Sequence, residues 1–226
     1  LKALVSTWRD QGCAAVTGPT PPTFEVDPSA WVVASGAFDS WEAADGAQVR
    51  SADTGNLLLD LAVVEDLGLR FDPRYGLTGG EDSLFTRQLT RAGGVIRFAA
   101  GAVVTKRVPA ARARRTWVLE RSLRSGSSWA RVRIDTAGPA DGGASGRLAR
   151  LRLRLGYGAK GLAKAGIDGA RAGVARIRGD VPAQARYEVS SRGGLGMVVG
   201  ALGVQVREYG RPRRRTSTAR AGRRNA

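Results

Sequence analysis

The densest chemistry in the chain lies in the run Phe71-Asp-Pro-Arg-Tyr75-Gly-Leu-Thr-Gly79-Gly80-Glu81-Asp82. Gly79 and Gly80 let the backbone come close to a ligand, and Glu81 and Asp82 then present adjacent carboxylates at a helix start. A carboxylate in that position can take the proton from a hydroxyl nucleophile, which is the task of a general base. The same residues have a second meaning. Thr78 and Glu81 match a capping box, and acids in a first helical turn complement the helix dipole.

Other reactive side chains are scarce. The 226 residues contain no histidine, which removes histidine-based catalysis and most zinc sites. Cys13 stands alone, so no internal disulfide forms; with no histidine partner it is a small core residue rather than a nucleophile. Trp31, Phe38 and Trp41 are candidates to line a ligand site, yet as single aromatics they are more often packing residues. Asp10, Glu65 and Asp66 are simplest as solvated helix charges.

The elements that must hold the acid pair can be read from spacing. Leu1, Leu4, Val5 and Trp8 mark one face of a helix that Gly12 stops. Cys13 to Gly18 predicts a short buried strand, and Phe24 to Asp53 a long loop with small elements. Thr54-Gly55-Asn56 precedes an apolar run, Leu57 to Leu67, predicted as a helix with Gly68 at its end. A second helix is expected from about Glu81 to Ala92. Val95 to Phe98 and Ala102 to Val104 follow as strands. Strand, helix and strand in short alternation indicate an α/β layer structure.

Val108-Pro109 is expected to open a helix running to about Arg133, with Arg114, Trp117, Arg121, Arg124, Ser128 and Arg131 on one face. Residues 134–146 predict a flexible linker, 147–210 a basic amphipathic helical region, and 211–226 a disordered basic tail. Gly196-Met-Val-Val-Gly200 fits a small-xxx-small helix contact, although the surrounding apolar run is too short for that pattern to weigh much.

Charge divides the chain in two. Residues 1–100 carry eight Lys and Arg against thirteen Asp and Glu, while 101–226 carry 28 against seven. A basic half of this strength calls for an anionic partner, nucleic acid or a lipid surface. Few aromatics for base stacking and no recognisable binding module argue against nucleic acid. Basic helices with apolar residues on the other side suit a membrane interface better, and a solvated arginine-rich tail without a partner is the plain alternative.

The order Thr54-Gly-Asn56, Gly68-Leu-Arg-Phe71-Asp72, Tyr75-Gly76, Gly79-Gly-Glu-Asp82, Leu84-Phe85, Arg87-Gln-Leu89 and Val108-Pro109 resembles the acceptor-side half of the family 2 glycosyltransferases. Val16-Thr-Gly18-Pro19 with the aromatic loop around Trp31, and the later Arg121-Ser-Leu-Arg124-Ser-Gly126, are similar to the segments on either side. The resemblance covers about residues 1–133 and is specific as an ensemble. It implies an incomplete GT-A, Rossmann-like domain. Asp82 would be the general base and Glu81 its helper or an acceptor ligand. Gly79 and Gly80 would shape the backbone there, Gly55 and Asn56 would sit near the donor sugar and acceptor, and Arg121 and Arg124 near phosphate or an anionic acceptor. The substrates implied are a nucleotide-sugar donor and a saccharide or lipid-linked acceptor.

The resemblance also implies a divalent cation, Mg or Mn, whose ligands would lie with the nucleotide-binding half upstream of Leu1. Without that half the chain is expected to be inactive. Thr105-Lys106-Arg107 stands where relatives often carry a histidine or an acid. The expected location is cytoplasmic, peripheral on the inner face of the plasma membrane. The competing expectation is a non-enzymatic basic adaptor that binds an anionic membrane or nucleic acid through residues 147–226.

Overall fold

The computed structural model describes residues 1–137 and 143–204. Among the described residues, six short strands and seven α-helices make a mixed α/β structure, with the sheets in the first half and the long helices in the second. Helix α1 (Lys2–Gln11) buries Leu4 and ends where Gly12 takes a left-handed conformation. Its Trp8 donates from the indole to Asp60 at 3.0 Å, pinning the helix to the sheet.

The main sheet has the order β3 (Gln48–Val49), β5 (Ile96–Phe98), β1 (Ala15–Thr17), β4 (Leu57–Leu59). The central pair β1–β5 is parallel, with Val16 opposite Arg97; the two outer strands run antiparallel to it. A second, two-stranded sheet pairs β2 (Pro22–Phe24) with β6 (Lys106–Val108) in parallel. Ala15, Leu89, Ile96 and Phe98 form the core on one face of the main sheet. Leu4, Cys13 and Val16 pack on the other. Burial pushes the Cys13 thiol above its ordinary pKa, as befits a core residue.

Several predicted elements move. Leu57 to Leu67 is not one helix: it splits into β4 and the short α3 (Leu61–Asp66). Asp60 makes the break, because its carboxylate accepts from the N–H groups of Ala62 and Val63 and so starts the helix late. The loop from Phe24 to Asp53 holds α2 (Ala30–Ala34), which Ser29 caps, as well as β3. Ala102 to Val104 is not a strand; the pairing begins at Lys106. The next helix starts at Arg115 rather than Val108, because residues 109–114 are held in a turn by Arg112 N–H donating to Pro109 O.

That helix, α5 (Arg115–Asp135), is the spine of the molecule. A 34-residue α6 (Ala144–Ile177) and then α7 (Val181–Ala201) fold back beside it. Residues 150–155 lie inside α6, within the basic helical region expected from 147 onward. Helix α7 lies between α5 and α6, and its glycines are what let it in. A Cβ on Gly196 would come within 2.0 Å of Leu123 O, and one on Gly126 within 2.1 Å of Gly193 O. Gly200 approaches Ser127 in the same way, so the Gly196–Gly200 pattern is a true helix contact. Ala185 of α7 joins Val32, Phe38, Val108 and Val118 in a shared core. Of the predicted linker 134–146, residues 134–135 end α5 and 144–146 open α6, while 138–142 lie outside the described residues; so do 205–210 of the predicted helical region and the whole predicted tail, 211–226.

Candidate functional site

Helix α4 (Glu81–Arg91) begins at a sharp turn. Gly79 and Gly80 both have positive φ, 73° and 92°, which an L side chain adopts only with strain. Gly80 also lies against α5: a Cβ there would stand 2.9 Å from that of Ser128. No capping box forms. Gly80 is the N-cap, without side-chain help, and the Thr78 hydroxyl is occupied elsewhere. Thr78 donates to Tyr75 O and accepts from the Arg131 guanidinium at 2.9 Å. Leu84, Phe85 and Leu89 anchor the helix in the core, and the buried Thr86 ties it to Ser51 at 3.3 Å.

With its inner face fixed, α4 turns Glu81 and Asp82 toward a cleft of about 850 Å³. The floor is the Gly79–Gly80 turn. One wall is α5, from Trp117 through Arg121, Arg124 and Ser128 to Arg133; the other comes from Arg50 to Thr54 and from Lys106 to Arg112. Eight cations line this space (Arg50, Arg87, Lys106, Arg107, Arg112, Arg121, Arg124 and Arg133) against three acids, Asp53, Glu81 and Asp82. Such an excess of positive charge between low-dielectric walls draws anions in.

Within that field Asp82 is distinctive. Burial raises its pKa above the ordinary aspartate value, opposed by the Ser83 N–H, which donates to Oδ1 at 2.6 Å, and assisted by the negative charges of Asp53 and Glu81. Glu81 holds one buried carboxylate oxygen, Oε2, with no hydrogen-bond partner in the protein. Asp53 is only loosely paired with Lys106, at 3.9 Å, and both face the cleft. Burial, assisted by the charges of Arg133 and Arg91, lowers the pKa of Arg87.

The residues singled out from sequence separate into two groups. Asp82, Glu81, Gly79, Gly80, Arg121 and Arg124 all line the cleft. Arg121 donates to Ala37 O and lies over the Phe38 and Trp117 rings, and Arg124 reaches toward Glu120 at 4.0 Å. Asn56 and Trp31 do not reach it. The Asn56 side-chain amide is buried and donates to Ala102 O at 2.6 Å and Pro19 O at 3.2 Å, which makes it a brace between loops. Trp31 is packed in the core under Arg115. Gly55 stays just behind the wall, its N–H donating to Asp53. Asp53, Thr54, Arg87, Arg112 and Trp129 belong to the cleft and were not singled out for chemistry. Arg87 follows Asp82 by five residues, off the i+3, i+4 and i+7 spacings, so helical periodicity alone did not link it to the acid pair.

Among the described residues no group of three or more His, Cys, Asp or Glu is close enough to hold a metal ion. Asp53, Glu81 and Asp82 therefore do not fit a divalent cation as a set. No helix among the described residues is long and apolar enough to cross a membrane.

Over 141 residues the chain is 36% identical to the succinoglycan biosynthesis protein ExoM of Rhizobium meliloti (strain 1021). The matched segment is 61% of this chain and 44% of that protein, so the chain spans less than half the length of its relative. No family model matches the sequence, and no solved structure matches it.

Proposed function

We propose that this chain is the acceptor-side part of an inverting sugar transferase of the family 2 type, acting in polysaccharide biosynthesis. The observation that carries the reading is the placement of Asp82: a carboxylate with a raised pKa, directed into a deep cationic cleft from a turn that only glycines can make. The similarity to a succinoglycan biosynthesis protein supports the class of product.

In this reading Asp82 accepts the proton of an acceptor hydroxyl as its oxygen attacks the anomeric carbon. The bond from that carbon to the donor phosphate breaks on the opposite side, inverting the centre. The electron pair leaves with the diphosphate, and the proton remains on Asp82. A raised pKa suits the task, because a base closer to the working pH holds the proton more firmly in the transition state. Glu81, which lines the cleft beside Asp82, accepts in this reading a hydrogen bond from another acceptor hydroxyl. The arginines of α5 offset the charge that develops on the leaving group.

The test is transfer of sugar from nucleotide-sugars to saccharide acceptors by the full-length protein, with Asp82→Asn as the variant. The expected result is a loss of about 10²–10⁴-fold in turnover, with donor affinity nearly unchanged. Normal turnover by Asp82→Asn would overturn the assignment.

A further inference from the structure

The second half of the chain presents a surface that the transfer reaction does not use. One face of α6 is committed to α7: Gly161 lies against Gly194 O, and the buried Asp168 accepts from Ser190 and from Lys164 at 3.3 Å. On the opposite face Leu148, Leu151, Leu155, Leu162 and Ile177 follow one another at spacings of three, four, seven and fifteen residues, each close to whole helical turns, and so line up along the helix. All five are exposed, Leu155 at 68% and Ile177 at 88%. Nothing among the described residues covers them.

The borders of this stripe are basic. Arg154 and Arg176 run along one side, and Arg152, Lys160 and Arg178 along the other, all exposed. The one acid of α6 is Asp168, on the buried face. The helix is 34 residues long, about 51 Å at 1.5 Å per residue, yet is not apolar enough to cross a bilayer.

We infer that α6 lies in the plane of an anionic lipid surface, its leucine stripe among the acyl chains and its basic borders among the phosphates. An apolar stripe with cations on both edges matches that interface in both of its parts. A second copy fits less well, because two stripes meeting face to face would bring like-charged borders together. The geometry also places the cleft near the membrane. Tyr157, on the side of α6 away from the stripe, packs edge-on against Trp129 at 5.1 Å, and Trp129 lines the cleft. One wall residue of the cleft, Trp129, is thus about one helix diameter, roughly 10–12 Å, from the leucine stripe. The inference does not depend on the transferase reading: a chain that binds lipid and transfers no sugar leaves it standing.

The test is co-flotation of the intact chain with vesicles of phosphatidylglycerol and phosphatidylcholine in equal parts, and with phosphatidylcholine alone. Binding is expected to the first and to fall at least tenfold on the second. The double variant Leu155→Gln, Leu162→Gln leaves the charge unchanged and should bind the anionic vesicles at least tenfold more weakly, with the circular dichroism and thermal midpoint of the parent. Equal binding by that variant would mean that arginine charge alone holds the vesicles, and the inference fails. It fails too if the parent does not float, or if light scattering shows a dimer that the variant loses. Should the variant be misfolded, Ile177→Gln at the helix end makes the same comparison under the same criteria.

Discussion

The guanidinium of Arg131 reaches out of α5 to donate to the Thr78 hydroxyl at 2.9 Å, and lies 4.5 Å from the centre of the Tyr75 ring. Tyr75 in turn donates its phenol to Asp135 at 2.7 Å, one helical turn further along α5. Burial and the Asp135 carboxylate both hold that phenol in its protonated form. Between them, Arg131 and Asp135 fasten both ends of the turn Tyr75–Thr78 to the spine, and that turn delivers Gly79, Gly80 and the acid pair.

Arg131→Lys keeps the charge but loses the flat fork that bonds and stacks at once. Leaving a buried hydroxyl without its donor costs about 1–3 kcal/mol. For a chain of this size the midpoint of thermal unfolding should fall by roughly 2–10 °C. Turnover is expected to drop more than donor KM changes, because the displaced turn carries the base rather than the nucleotide contacts. Thr78→Ser, which retains the hydroxyl, should behave as the parent in both measurements.

Asp82 gives a pH dependence with a definite sign. Its folded-state pKa lies above the ordinary value, mainly because of burial, so the folded chain holds this proton more tightly than the unfolded chain does. Stability is therefore lost as pH rises from the unfolded value through the folded one, and the loss persists at neutral pH. Transfer behaves in the opposite way: it should fall tenfold per pH unit below the folded pKa, on a limb displaced upward from the usual aspartate range. Asp82→Asn should raise the neutral-pH melting temperature while abolishing turnover. A variant that lowered both would point to a structural role.

The acid pair and the arginine face of α5 were legible because both depend on neighbours in sequence. Glu81 and Asp82 follow the glycines directly, and Arg121, Arg124 and Ser128 repeat at helical spacing. What failed depends on partners far along the chain. Leu57–Leu59 was lost in an apolar run that reads alike as strand or buried helix, and only pairing with Ala15–Thr17 decides it. Asp60 in the middle of that run was the missed local clue. Lys106–Val108 is a strand because Pro22–Phe24 lies beside it, not because of its own composition. Asn56 looked available for a ligand, yet its amide is used on carbonyls 37 and 46 residues away.

The cationic rim should report on anions without any catalysis. A polyanion that bridges the α5 arginines and Arg112 would offset the eight cations that line the cleft against three acids. Inorganic pyrophosphate at about 100 times its Kd would add about 2.7 kcal/mol. That corresponds to a rise of roughly 5–10 °C in melting temperature for a chain of this length. Arg112→Gln with Arg124→Gln should remove most of the shift, and raising the salt should shrink it. No shift in the parent at low salt would mean that the rim is only a solvated surface.

Glycines within the helical half should divide into two kinds by what surrounds them. At Gly196 an added methyl would meet Leu123 O at 2.0 Å, and at Gly126 it would meet Gly193 O at 2.1 Å; both are backbone atoms that cannot swing aside. Gly126→Ala or Gly196→Ala forces α5 and α7 apart, so each should cost at least about 1–3 kcal/mol, the ordinary range for overpacking. Because α7 closes the core around Phe38 and Val118, the damage should extend to the cleft wall and appear as weaker pyrophosphate binding. Gly156 of α6 has nothing within 4 Å of the same position. Gly156→Ala should therefore stabilise the chain by about 0.5–1 kcal/mol, as removal of an exposed mid-helix glycine does. Thermal melts of the three variants side by side decide the matter: equal shifts of one sign would refute the packing of α7 between α5 and α6.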